Sequence, residues 1–327
     1  MKNGLVVLSL FDGLSGAQIA LERAGIPVKT YYASEIDKYA MQIAQKNYPN
    51  TIQLGDITRY EEWDIEQPDL IIGGSPCVGF SVAGRGKNFE DPQSKLFFTF
   101  IAILEKYKSR YFLLENVKMK NEWRDAITAY IQEIYPGVEP ILINSARLSA
   151  QNRQRNYWTN IPNVTQPEDK GIYLQDIIED GIVDRDKAYA LTSSYHDTHN
   201  FKDYTTKNRR QIVYKDIPFP YSRISKKFQF HVNGITRPKE DQQSRIYNTE
   251  GKMKPMTASG CKMYITPDGI VYRNLTPEEC ERLQTIDDGY TSGISNTQRY
   301  KMLGNGFTVD VIAHILRGIH GNTTETE

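Results

Sequence analysis

Short apolar runs alternate with longer amphipathic segments through the first half of the chain, the pattern of a parallel α/β sheet. Leu5–Leu10 predicts a buried first strand, and the small-residue turn FDGLSGA leads from it into a helix over Gln18 to Arg23 that stops at Gly25. Thr30–Ser34 predicts a second strand. Asp37 to Lys46 predicts a helix with Asp37 as its cap, because a carboxylate there accepts the free N–H groups of the first turn. Ile52–Leu54, Leu70–Ile72, Tyr111–Leu114 and Pro140–Ile143 complete the predicted strands, with helices over about 94–106 and 121–134.

From about Val164 the alternation stops. Proline, aromatic and basic residues become frequent, and the stretches 218–230 and 237–260 read as short strands and ordered loops. Regularity returns near Leu275. Thr276 is a cap, Pro277 fits the first helical turn and Glu279 stands where a capping box needs a carboxylate. A last helix is expected over about Val309 to Arg317. The expected organisation is one α/β domain formed by residues 1–163 and 271–320, a loop-rich insert over 164–270, and a disordered tail at 321–327.

Composition adds little until it is read locally. Of 327 residues, 39% are hydrophobic and 24% charged, ordinary for a soluble globular chain, and no apolar run is long enough for a bilayer. The apolar part of the N-terminus is too short for a signal peptide. Cys77, Cys261 and Cys280 form neither an even framework nor a metal-ligand spacing, so a reducing, cytoplasmic setting is expected. His196 and His199 lack partners that would complete a metal site and are read as loop structure or DNA contacts. Formal charge is zero overall, yet residues 201–262 hold 14 Lys or Arg against 5 Asp or Glu. A surface that meets phosphates gives that asymmetry, and so does a solvated basic face; charge alone leaves both open.

Candidate chemistry gathers at the strand ends. LIIGGSPCVGFS carries a strand into two glycines and then Pro76–Cys77, and YFLLENV delivers Glu115 from the next strand. A thiol is the strongest side-chain nucleophile near neutral pH, and a nearby carboxyl group can handle a proton. Glu35 ends the second strand 19 residues after Gly16, where an acid accepts from ribose hydroxyls, and Asp56 follows the third. The first turn lacks GxGxxG, so adenosine without a pyrophosphate, as in S-adenosylmethionine, fits better than a dinucleotide.

These segments resemble the cytosine-C5 DNA methyltransferases over nearly the whole chain. FDGLSGA, Glu35, GDI at 55–57, GGSPCVGFS, LLENV at 113–117, QNRQR at 151–155, LTPEECERLQT at 275–285 and LGN at 303–305 occur in the family's order. The likeness is to compact bacterial and phage enzymes, with some similarity to the catalytic domain of the animal de novo methyltransferases. It implies a Rossmann-like S-adenosylmethionine-dependent methyltransferase fold with a mostly parallel sheet, the 164–270 insert being a smaller DNA-recognition domain. Ser15 and Ala17 stand where many members carry glycine, and Gly306 where serine or alanine is common.

The resemblance also assigns roles. Cys77 adds to C6 of a cytosine flipped from the duplex, Glu115 holds N3 and the exocyclic amine, Arg153 contacts O2 and Arg155 buttresses the glutamate. S-adenosylmethionine, leaving as S-adenosylhomocysteine, is met by Phe11, Asp12, Gly13, Gly16, Glu35, Ile36, Asp56, Ile57, Pro76, Leu96 and Asn305. Ser81, Arg85 and Lys87 are the expected phosphate contacts of the loop beyond the nucleophile, and Gln242, Arg245 and Thr257 those of the insert. Double-stranded DNA is the implied partner, bound by a monomer, and a cognate restriction endonuclease is compatible with the likeness. The alternatives are the same chemistry on RNA and a non-catalytic DNA-binding paralogue; retention of both Cys77 and Glu115 weighs against the second.

Overall fold

The computed structural model describes residues 4–75, 92–195, 200–215, 246–248, 263–265 and 271–322. Strands β1 (Leu5–Leu10), β2 (Val28–Ser34), β3 (Ile52–Gln53), β4 (Leu70–Gly74) and β5 (Tyr111–Val117) run parallel, joined in part by helices α1 (Gly16–Arg23), α2 (Lys38–Asn47) and α3 (Pro92–Tyr107). Helix α4 (Asn121–Ile134) leads to β6 (Ile141–Asn144), the short β7 (Gln151–Asn152) and β8 (Gln154–Thr159). The order is β3-β2-β1-β4-β5-β8-β6, with β8 antiparallel between β5 and β6. The chain moves outward from β1 to β3 and then returns to the other side of β1, so a crevice opens at the carboxyl ends of β1 and β4.

Both faces of this sheet are covered, which is why β1 is apolar almost without interruption and buried at every position. Leu5, Val7, Leu70, Ile72 and Leu113 pack on one side with α1 and α9 (Val309–Leu316). Val6, Leu8, Ile71, Phe112, Leu114 and Trp158 pack on the other with Phe97, Phe100 and Ile127 of α3 and α4. Burying side chains of this kind stabilises by roughly 1.5–3 kcal/mol each.

The remaining elements are α5 (Leu174–Ile177), β9 (Ala188–Tyr189), α6 (Asn200–Lys207), β10 (Ile212–Tyr214), β11 (Ile246–Asn248), β12 (Met263–Ile265), β13 (Val271–Asn274), α7 (Pro277–Leu283) and α8 (Asn296–Asn305). A second sheet has the order β10-β13-β12-β11, and β13 carries it to Asn274. Arg273 of β13 is buried and donates to both carboxylate oxygens of Glu279 on α7, at 2.8 and 2.7 Å, tying the small sheet to the helix that follows. The capping box is formed: Glu279 N–H donates to Thr276 Oγ1, and Thr276 N–H donates to Glu279. No described helix is long and apolar enough to cross a membrane.

Two features depart from the expected pattern. β8 is a full strand although the sequence pattern marks none there, because its buried residues, Asn156, Tyr157, Trp158 and Thr159, combine polar and aromatic side chains rather than an apolar run. The sequence pattern predicts no helix where α8 stands; NTQRYKMLGN buries two polar or small residues, Arg299 and Gly304, beside Met302 and Leu303, and shows no apolar stripe.

Candidate active site

The crevice is a cavity of about 610 Å³, and every expected site residue that the structure describes lines it. The first wall is made of strand ends. Beyond β1 the backbone turns sharply, with Phe11, Gly13 and Ser15 all at positive φ, which L side chains adopt reluctantly. Asp12 holds the turn: its carboxylate accepts from the Ser15 hydroxyl and, at 2.7 Å, from the Tyr31 hydroxyl. That carboxylate is buried, and burial raises its pKa from the ordinary value of 3.8, against the pull of its Ser15 and Tyr31 hydrogen bonds. Asp12 therefore lines the cleft with its acid spent on the turn, not offered to a ligand.

Glu35, at the end of β2, takes Gly13 N–H on Oε2 at 2.8 Å and Ile36 and Asp37 N–H on Oε1 at 2.7 and 2.8 Å. A carboxylate has about four acceptor sites, so Oε2 keeps one for a ligand hydroxyl. Asp56 receives Thr58 N–H and the Thr58 hydroxyl on Oδ1, at 2.8 and 2.9 Å, and its other oxygen takes no donor among the described residues. Ile36 is 75% exposed, an unusual position for a large aliphatic residue, and half-buried Phe11 and Leu96 line the same cavity. Buried Ile57 and the turn glycines Gly13 and Gly16 complete this wall. This wall therefore sets aliphatic and aromatic surface beside carboxylate oxygens that can accept further hydrogen bonds.

At the far end of the cleft stands Glu115. Across the antiparallel β5–β8 pair, Glu115 faces Tyr157 and Val117 faces Arg155, so Glu115 and Arg155 are diagonal neighbours on one face. Arg155 Nε meets Glu115 Oε1 at 2.9 Å, with both side chains largely buried. Gly74 pairs with Glu115 in the parallel register, and a Cβ there would approach Glu115 Oε2 to 3.2 Å and the Phe307 ring to 3.0 Å. A larger residue would have to push the carboxyl group and the ring aside by a few tenths of an ångström. The tip of β4 thus lies directly beside Glu115, and Ser75 is the last described residue before Pro76–Cys77.

Arg153 lines the cavity as well. It is 4% exposed, and its guanidinium donates to the carbonyl oxygens of Leu191 at 3.0 Å, Gly304 at 3.3 Å and Gly306 at 3.0 Å. With three backbone carbonyls as acceptors, this guanidinium has a structural task in the fold. The same carbonyls show what the sequence reading missed: a second wall built from 191–193 and 301–307, including Ser193, Lys301, Met302 and Phe307 beside the expected Asn305. Gly304 packs so tightly on this wall that a Cβ would fall 2.2 Å from the backbone carbon of Thr192. Residues drawn together from positions this distant leave no local motif. Pro76, Cys77, Ser81, Arg85, Lys87, Gln242, Arg245 and Thr257 lie outside the described residues, as do Cys261 and the two histidines 196 and 199. Cys280 is fully buried in α7.

A mostly parallel sheet covered on both faces, with a cleft at its switch point and a paired glutamate at the adjacent strand end, is an α/β architecture with its candidate chemistry at the strand ends. Comparison with known proteins makes the class specific. The sequence profile of the C-5 cytosine-specific DNA methylases matches residues 5–321, and the chain belongs to that family. It is 29% identical over 321 residues to the type II methyltransferase M.NlaX of Neisseria lactamica, covering 94% of each chain. It is 28% identical over 332 residues to the type II methyltransferase M.HhaI of Haemophilus parahaemolyticus, covering 97% of this chain and 94% of that one. Among solved structures, a DNMT2 mutant of Spodoptera frugiperda superimposes with a TM-score of 0.63 at 18% identity, over 97% of this chain and 99% of the other, a likeness of fold. The protein is a DNA cytosine-C5 methyltransferase.

Proposed function

We propose that the cleft binds S-adenosylmethionine along its first wall and presents a cytosine, flipped out of double-stranded DNA, to Cys77 and Glu115. The observation that carries this reading is the register of Gly74 with Glu115, which sets the strand leading to Cys77 beside a carboxyl group already oriented by an arginine. In this reading Glu35 Oε2 accepts from the ribose and Asp56 Oδ2 from the adenine amino group, with Phe11, Ile36 and Leu96 against the base. Bound there, S-adenosylmethionine supplies an electrophilic methyl group.

The chain's own residues do the rest. The Cys77 thiolate adds to C6, and the electron pair displaced from the C5–C6 bond becomes available at C5 for the methyl group. Glu115 hydrogen-bonds N3 and the exocyclic amine, drawing charge out of the ring as the thiolate adds. The proton on C5 then leaves as the Cys77–C6 bond breaks, which restores the ring and the thiolate. Arg155 uses Nε on Glu115 and Nη1 on the Gln154 carbonyl, and Nη2 has no acceptor among the described residues. We assign that donor, in place of Arg153, to the ring oxygen O2 next to N3. The loop after Cys77, with Ser81, Arg85 and Lys87, and the insert, with Gln242, Arg245 and Thr257, are the DNA-binding parts of this reading.

The test is direct. Purified protein, S-adenosylmethionine and unmethylated DNA of mixed sequence are incubated, and 5-methylcytosine is mapped base by base for wild type and Cys77→Ser. A recurrent methylated motif that vanishes in the variant is expected. Methylation confined to RNA, or a motif that survives in Cys77→Ser, would overturn the reading.

A further inference from the structure

The two walls of the cleft are joined at its rim by one ion pair. Lys301 Nζ, on α8, lies 2.7 Å from Asp37 Oδ2 at the start of α2, and both residues line the cavity. Asp37 is held in place independently of the lysine: as the cap of α2 it accepts Tyr39 N–H at 3.0 Å and Ala40 N–H at 3.4 Å on its other oxygen. Only the lysine must therefore be immobilised to make the pair. The other end of α2 is fixed to the segment that precedes α8, Lys46 Nζ to the Ser292 carbonyl at 3.0 Å and Asn47 Nδ2 to the Tyr290 carbonyl at 3.2 Å. Helix α8 is anchored from behind, by Arg299 to the buried Glu281 and by the Tyr300 hydroxyl to the Leu275 carbonyl. Lys301 stands one helical turn before Asn305, and Asp37 stands two residues after Glu35. The pair thus connects the corner carrying the acceptor for a ribose with the segment that closes the opposite side.

We propose that Lys301 is a positioning residue for the nucleoside: its bond to Asp37 fixes the width of the cleft mouth and so governs how long the bound cofactor stays. The pair is half-exposed, with lysine and aspartate side chains 48% and 28% accessible, so it opens and closes readily and responds to salt.

This inference rests on reading the cleft as an S-adenosylmethionine site, and the experiment separates the two. Full-length protein is loaded with tritiated S-adenosylmethionine without DNA, chased with unlabelled compound, and release is followed by filter binding. Lys301→Met keeps the aliphatic stem, and Asp37→Asn keeps a good helix cap. Each is expected to release label about threefold faster than wild type, the range of an exposed pair. The double variant should be no faster than either single one, since both remove the same interaction. Wild-type release should quicken with added salt, and release from the variants should not. Unchanged rates in the single variants, or additive effects in the double one, overturn the role of the pair. Failure of wild type to retain any label overturns the nucleoside reading itself, and with it this one.

Discussion

The two walls of the cleft are held by different physics. The first consists of strand ends in a parallel sheet, where each residue is placed by backbone ladders and by carboxylates that cap the turns next to them. Glu35 and Asp37 bond mostly to N–H groups within a few residues, with Gly13 on Glu35 and Lys301 on Asp37 the longer links. The second wall has no ladder. Its backbone carbonyls are satisfied by buried polar side chains from remote parts of the chain: Arg153 bonds Leu191, Gly304 and Gly306, and Gln284 bonds Leu303 and Gly306. Gln151 joins the network through Gln284 Oε1 at 2.9 Å and the Leu283 carbonyl at 2.6 Å. Chemistry and stability are therefore separable on the first wall and fused on the second, because a buried carbonyl that loses its donor carries the full desolvation cost.

The largest expected effect tests the first half of that contrast. Glu115→Gln retains shape and a hydrogen-bond acceptor for Arg155 but cannot exchange a proton with the ring. Methylation should fall by about 10²–10⁴-fold, the usual range for a positioned acid or base, with little change in melting temperature. Matching losses of activity and stability would show that the carboxylate is structural. Arg153→Met tests the second half. It strips three carbonyls of their buried donor and should destabilise by about 3 kcal/mol in urea unfolding, with methylation lost in proportion to the unfolded fraction. A fully stable Arg153→Met that is nonetheless inactive would return Arg153 to the reacting base and overturn its placement in the wall.

The same difference explains what could be read from the chain alone. Sites on the first wall sit at the ends of predicted strands: Glu115 follows an apolar run directly, Glu35 follows the strand that ends at Ser34, and Asp56 lies two residues beyond Leu54. The helix cap at Asp37 and the capping box at Thr276 and Glu279 were legible for the same reason, since both are local hydrogen-bond patterns. Nothing local marks Lys301, Ser193 or Phe307. They meet the site only because α8 and the 191–193 segment are pulled inward by side chains more than a hundred residues away in sequence, or by Arg153 across 38 residues. Arg153 and Arg155 look equivalent in QNRQR, yet the first precedes β8 and turns to the second wall while the second lies within β8 beside Glu115. Two residues of spacing do not decide which neighbour a long side chain finds.

The smallest expected effect is also the sharpest separation, because two acids of the first wall respond to pH in opposite senses. Burial raises the pKa of Asp12 from 3.8, so the folded state holds that proton more tightly than the unfolded chain. Its contribution is greatest below about pH 4 and declines as pH rises through the folded value. Asp37 is the reverse: partial burial pushes its carboxyl up, but Lys301 and the N–H groups of Tyr39 and Ala40 pull it further down, to a value below 3.8. Its stabilisation is present above about pH 4 and disappears as pH falls through the folded value. In urea unfolding across this range, the stability of wild type relative to Asp37→Asn should therefore rise with pH and then level off. Relative to Asp12→Asn it should fall. Parallel slopes for the two variants would mean that Asp12 ionises as freely as a rim residue, and that the turn beneath the nucleoside is solvated rather than built on a buried acid.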